Sequence, residues 1–279
     1  MTAGFDETFL TAKDGTSLYV RAPAVHESAR AQIVLTHGRG EYSGRYSHVS
    51  EAFAAHGLAL VTFDLRGHGR SGGKRGDTPS YAALLEDLDC VVRFARSRGG
   101  PLFLFGHSLG GQIALNYLHR VNANFHGALI ASPYLRLAFR PERWRLAMAG
   151  LLRWIWPSIT LRTHLPFDRL SRDIAHLESL PDLDLMHHRI SVRKYEAIKK
   201  GAIEAFAGAA EIRLPILLLP GADDPVTSME ATREFHAALG ATDKTLAIFP
   251  GMLHETHNEI GRAEVLRTII EWVEARLGS

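Results

Sequence analysis

Cysteine is nearly absent: Cys90 stands alone in 279 residues. One thiol excludes an internal disulfide framework and any zinc site built on cysteines. Within the helix-like run LLEDLDCVVRFA it is expected to be a buried, inert thiol. No stretch of eighteen uninterrupted apolar residues occurs, so no transmembrane helix is expected. The opening residues MTAGFDETFLTAKDG lack a basic stretch followed by an apolar one, so no secretory leader is read, and the expected location is cytoplasmic. Excess charge of one sign is missing too. With 32 Lys and Arg against 30 Asp and Glu, the net charge of +2 does not point to nucleic acid. Phosphate-loop chemistry is also lacking. The run DLRGHGRSGG sets Arg66, His68 and Arg70 among glycines, yet no Lys-Ser/Thr pair and no G-x-G-x-x-G accompanies it. It reads as a structural loop whose backbone Asp64 ties down. The adjacent His187 and His188 point apart on a helix and lack a His-Glu companion pattern, so no metal is expected. No cofactor motif appears.

What is present is an ordinary core. Hydrophobic residues make up 46% and charged residues 22%, which suits one large domain, or one domain with an insertion. ETFLTAKDGTSLYVRAPA reads as a hairpin turning at Asp14-Gly15. Strands at 31–38, 58–64, 101–106 and 126–133 then alternate with helices at 46–57, 81–100 and 111–121. That rhythm implies an α/β fold, a mostly parallel central sheet with helices on both faces. It breaks at Pro133 and resumes with strands at 214–221 and 244–251 and helices at 229–239 and 262–276. The residues between look purely helical. The expected organisation is therefore a core of residues 1–133 and 212–279 carrying a helical cap at 134–211.

The run FLFGHSLGGQIALNY leads a buried strand through Gly106-His107-Ser108-Leu109-Gly110 into a helix. G-x-S-x-G is weak by itself, but strand-turn-helix is the context it requires. In so tight a turn the residues two either side of the serine approach each other, and Cβ atoms there would clash. The helix aims its free N–H groups and positive dipole end at Ser108. The N–H of Leu109 can thus help hold a developing oxyanion. A serine nucleophile needs a base, and the base an orienting carboxylate. Ligand crevices in this fold class lie beyond the carboxyl ends of the strands. Two late loops lie there: LLLPGADDPVTS, with Asp223 and Asp224, and AIFPGMLHETHNE, with His254 and His257. Asp224 is the better carboxylate, with Pro225 and Val226 fixing the backbone after it, while Asp223 reads as a turn or cap residue. His254 is the better base, and His257, one turn on, is a candidate for the pocket wall. The loop THGRGEYSGRY offers the N–H of Arg39 as second oxyanion donor, and His37 as a ring that ties the loop to backbone.

Together THGRGEYSGRY (36–46), FDLRGHGRSGGKRG (63–76), LFGHSLGG (104–111), LLLPGADDPVTS (217–228) and PGMLHETHNE (250–259) resemble the monoacylglycerol lipase and lysophospholipase branch of the α/β-hydrolase superfamily. The resemblance implies a triad of Ser108, Asp224 and His254 with oxyanion donors at Arg39 and Leu109. It also implies that Glu41, Arg45 and His257 line a small polar pocket for the alcohol part of an ester, since hydroxyls need both donors and acceptors. The chain departs from the family at Tyr42, where a His follows the Gly-Glu pair, and at Leu185, where a Pro follows the Asp of the cap's end.

Within the cap, FRPERWRLAMAGLLRWIWPSITLR holds Trp144, Trp154 and Trp156 with Arg140, Arg143, Arg145, Arg153 and Arg162. Apolar residues at 146, 147, 150, 151, 154 and 155 form one helical stripe. The expectation is a lid over an acyl-chain tunnel, with Trp and Arg in transient contact with a membrane surface. These features together lead to a serine hydrolase that cleaves carboxylic esters of single-chain lipids, monoacylglycerols first. A lysophospholipase or general carboxylesterase is the alternative. A non-catalytic ligand-binding protein on the same fold is a more distant one.

Overall fold

The runs 31–36, 58–63 and 102–107 are buried at every position, as strands covered on both faces must be. The structure, a computed structural model, describes residues 4–24, 29–121, 124–163 and 166–278, without the side chains of Arg145 and Leu146. Those two members of the expected cap therefore lie outside the described side chains.

In chain order the first elements are β1 (Phe5–Thr11), β2 (Ser17–Pro23), β3 (Ala31–Thr36), α1 (Ser47–Ala54), β4 (Leu58–Phe63) and α2 (Tyr81–Ser97). Then come β5 (Leu102–His107), α3 (Leu109–Arg120), β6 (Gly127–Ala131), α4 (Arg143–Ile155), β7 (Thr160–Arg162) and α5 (Ile174–Ser179). The chain closes with β8 (Arg189–Ser191), α6 (Val192–Ala207), β9 (Ile216–Leu219), α7 (Met229–Ala238), β10 (Lys244–Leu246) and α8 (Arg262–Glu274). Among the described residues eight strands form one sheet in the order β1-β2-β4-β3-β5-β6-β9-β10. The β1–β2 hairpin is antiparallel and turns at Gly15, and β2 is antiparallel to β4. The other pairs in this sheet are parallel.

Alternation along each strand sorts side chains to two apolar layers. Val34, Val61, Leu104, Ile130 and Leu218 face the layer of α2, α3, α6 and α7. Ile33, Leu60, Phe103, Phe105 and Leu217 face the layer of α1 and α8. Because β3, β5, β6 and β9 run parallel, the loops leaving their carboxyl ends gather at one edge of the sheet, where ligands bind in open α/β sheets.

The expectation of a purely helical 134–211 needs correcting. β7 and β8 pair antiparallel there, with Thr160 opposite Ser191 and Arg162 opposite Arg189. Three-residue strands carry no readable period, and these are brought together across the intervening α5. The last helix of the segment, α6, packs on the core. Ile198 and Ala205 of α6 belong to the main apolar cluster, and Gln112 and Asn116 of α3 donate to the Ile198 and Gly201 carbonyls at 3.1 and 2.8 Å. Ser191 caps α6, and its hydroxyl donates to Asp77 at 2.6 Å, so α6 is fixed to the sheet layer from its first turn. The apolar stripe of α4 faces outward: Leu151, Trp154 and Ile155 are 62, 79 and 71% exposed, whereas Ala149 is buried. Cys90 is half-buried, less enclosed than expected, because it lies under the edge of the hairpin, 3.7 Å from the Thr11 carbonyl. Among the described residues no helix is long and apolar enough to cross a membrane.

Candidate active site

Ser108 follows β5 directly, and its backbone is held at φ 54°, ψ −117°. A non-glycine residue at positive φ is strained by about 1–3 kcal/mol and persists only where its surroundings fix it. Here they do. Ser108 N–H donates to the Ala131 carbonyl at 3.0 Å, and its own carbonyl accepts from Gln112 and Tyr134 at 3.1 and 2.9 Å. The flanking glycines are obligatory. A Cβ on Gly106 would lie 2.5 Å from the Gly110 carbonyl oxygen, and one on Gly110 would lie 1.9 Å from that of Thr36. The turn is thus wedged between its own helix and the end of β3.

The sharp turn aims the Ser108 hydroxyl at His254, whose Nε2 lies 2.9 Å from Oγ. His254 Nδ1 lies 2.8 Å from Asp224 Oδ2. Asp224 is fixed in turn: its Oδ1 accepts from Val226 and Thr227 N–H at 2.7 and 3.0 Å, and its Oδ2 from the Thr227 hydroxyl at 2.6 Å. This local Asx-type turn explains why a Pro-Val-Thr run follows the aspartate. Asp223 is exposed and takes no part. Burial alone would push Asp224 up, but His254 and Thr227 hold it below the usual carboxylate range. Burial would push His254 down, yet the charge of Asp224 and its hydrogen bond leave the imidazole above its ordinary value. Nε2 is then free to accept the serine proton while Nδ1–H stays on Asp224.

The two residues expected to supply main-chain donors lie at the same cavity. Leu109 opens α3, whose first intrahelical acceptor is the Ser108 carbonyl bonded by Gln112, so the N–H of Leu109 has no intrahelical partner. Arg39 follows β3 on the facing loop, and both residues line the same cavity as Ser108 and His254. His37 ties this loop, with Nε2 accepting from Leu65 N–H at 3.0 Å and Nδ1 lying 2.7 Å from the Gly38 carbonyl. Asp64 accepts from the N–H of Ser43 and of Arg70 at 2.6 and 2.7 Å, which makes the glycine-rich loop structural.

The expected alcohol pocket divides. Glu41 reaches the cavity, but Arg45 and His257 do not line it. Arg45 is fully buried behind it and donates twice to Glu255, at 2.8 Å each. His257 is buried and stacks on Tyr46 with ring centroids 4.8 Å apart. Glu255, beside the base, holds the guanidinium on the buried side of the cavity lining. Sequence reasoning passed over this supporting network. Tyr46 donates to Glu41 at 2.7 Å, His107 Nδ1 lies 3.1 Å from Glu41, and His107 Nε2 lies 3.4 Å from the His254 carbonyl. Despite burial, His107 and Arg45 hold Glu41 well below the usual carboxylate range. A polar residue closing an otherwise apolar strand, as His107 does, is the signal that could have found it. So is a carboxylate directly after the base, as Glu255 is.

The cavity holds about 620 Å³. Ser108 and His254 form its floor, and its walls and roof come largely from 134–211, including Leu137, Met148, Ala149 and Leu161. His187 and His188 are also at its wall. Among the described residues no group of three or more His, Cys, Asp or Glu is arranged to hold a metal ion.

The profile of the family described as serine aminopeptidase, S33, matches residues 27–261. A Dictyostelium discoideum abhydrolase domain-containing protein described as uncharacterised is 32% identical over 99% of the chain, which spans 30% of that protein's length. A monoacylglycerol lipase of Mycolicibacterium smegmatis is 29% identical over 89% of each chain. The crystal structure of a monoacylglycerol lipase from Paleococcus ferrophilus superposes with a TM-score of 0.84 at 32% identity, covering 93% of this chain and 99% of that one.

Proposed function

Because the chain belongs to the serine aminopeptidase S33 family of α/β-hydrolases, we propose that it is a serine hydrolase that cleaves carboxylic esters of single-chain lipids, monoacylglycerols first among them. The observation that carries this reading is the Ser108–His254–Asp224 chain of hydrogen bonds at the floor of a largely apolar cavity. Relatives bearing the name monoacylglycerol lipase support the substrate class.

In this reading Ser108 Oγ attacks the acyl carbonyl while His254 takes its proton. Asp224 holds the imidazole in orientation and stabilises its charged form. The N–H groups of Arg39 and Leu109 receive the oxyanion of the tetrahedral intermediate, each worth ~10²–10³ in rate. His254 then gives its proton to the leaving alcohol, and water activated by the same ring releases the acid from the acyl-enzyme. Glu41 meets the alcohol, while Arg45 and His257 act from behind by holding Glu41 and the base loop. The part of 134–211 before α6 serves as the cap, and its apolar cavity face receives the acyl chain.

Two measurements test this. A fluorophosphonate probe should label the wild type and leave Ser108→Ala unlabelled. Absence of labelling in folded wild type would sink the enzyme reading in favour of a ligand-binding protein. A panel crossing p-nitrophenyl esters of graded chain length with monoacylglycerols and lysophosphatidylcholine then reads the substrate. Turnover of acetyl or butyryl esters with none of monoacylglycerols would replace the lipid reading with a general carboxylesterase.

A further inference from the structure

The cavity's acids are largely committed and its arginines are not. Glu41 is engaged by Tyr46, His107 and Arg45, and Glu255 by Arg45 and Asn258. Glu142 stands at the exposed mouth. Three arginines also line the cavity: Arg39 deep within it, Arg140 and Arg162 at the mouth. Among the described residues none of the three makes an ion pair. The contrast with the rest of the molecule is sharp, because the buried Arg45 and Arg66 each hold a carboxylate, at 2.8 and 2.5 Å.

Arg39 is the unusual one. Its guanidinium is half-buried and donates from Nη1 to the neutral Thr163 hydroxyl at 2.8 Å. Burial pushes it down, and the group acting against that is Tyr134, not a carboxylate. A half-buried cation without a counter-ion keeps donors to offer, and a guanidinium has five N–H donors in a fork that matches an oxyanion. Thr163 orients the fork and leaves donors unspent. Arg39 and Ser108 line one cavity, so an anion held by this side chain and a carbonyl at Ser108 would belong to one molecule.

We propose that Arg39 is the receptor for an anionic group, a phosphate or a carboxylate, borne by the ester that occupies this cavity. Arg140 and Arg162 at the mouth draw such an ester in. The proposal rests on the ester-hydrolase reading for what the bound molecule is, but its test reads binding without turnover.

Ser108→Ala protein is titrated calorimetrically at low salt with octyl phosphate, octanoate and octanol, which share a chain and differ in head group. At least one anion is expected to bind about tenfold or more tightly than octanol, the size of one charge-assisted hydrogen-bond pair. Whichever anion leads identifies the source, phosphate-bearing or carboxylate-bearing esters. Adding Arg39→Gln should remove most of that advantage, and Arg39→Lys, a charge without a fork, only part of it. Arg162→Gln, at an exposed position that folding tolerates, should reduce it by a smaller factor that fades with salt. Equal affinity for octanol and both anions overturns the proposal, as does an advantage that survives Arg39→Gln in a folded protein. Either result leaves the hydrolase reading standing, since fluorophosphonate labelling reports on that separately.

Discussion

The floor and the roof of the cavity are built on opposite principles. Beneath Ser108 every charge is buried and answered: Arg45 by Glu255 and Glu41, His254 by Asp224, Asp224 by Thr227. Above it α4 turns Trp154, Ile155 and Leu151 to the outside. A buried polar network leaves each member one geometry, because any misplaced group would be desolvated and unpaired. An apolar roof held from one side has no such constraint. In the proposed function the floor carries the chemistry and the roof receives the acyl chain.

The sharpest way to break this contrast is at the nucleophile. Ser108→Ala should lower kcat by about 10⁵–10⁶ with an unchanged melting temperature, measured by ester hydrolysis and thermal denaturation. Next, Asp224→Asn should cost about 10⁴ in kcat by leaving His254 in the wrong tautomer. It should also move the pH profile. His254 must be neutral to accept the serine proton, and its pKa is raised, so the wild-type rate should fall as pH drops through a value above 6.5. Without the Asp224 charge that acid limb should shift to lower pH. A profile that does not move would mean that Asp224 does not set the ionisation of the base.

Third, Arg45→Met should destabilise the fold by about 3–5 kcal/mol in urea denaturation, since Glu255 would remain buried and unpaired. A loss below 1 kcal/mol would show that the floor is less constrained than its hydrogen bonds imply. The smallest effect belongs to the roof. Trp154→Ala should change stability by no more than about 0.5 kcal/mol. Its rate on an ester in anionic vesicles should drop more than its rate on a dissolved short-chain ester. Equal drops would count against contact between α4 and a lipid surface.

The same contrast explains what could be read in advance. The strand-turn-helix at Ser108 was legible because each requirement has a residue to announce it: buried Phe103–Phe105, Gly106 and Gly110 for a clash-free bend. Asp224 and His254 were legible from their places after β9 and β10. Arg45 and His257 were not, because whether a polar side chain faces a cavity depends on a competitor elsewhere in the chain. Glu255 is that competitor, 210 residues beyond Arg45. β7 and β8 were missed because three residues carry no period. The stripe of α4 was visible, yet its outward direction was not, since amphipathic spacing tells which residues share a face and not what the face meets.

The turn at Ser108 has one more consequence, for folding. Gly110 lies against the Thr36 and His37 carbonyls and Ser108 N–H is bonded to Ala131, so the turn's geometry exists only once β3, β5 and β6 lie side by side. A partly assembled chain carries the same serine but no bend to present it and no base beside it. In the proposed function, reactivity toward a covalent probe would count native molecules one by one. If the proposed function holds, the protein carries its own gauge of assembly at Ser108.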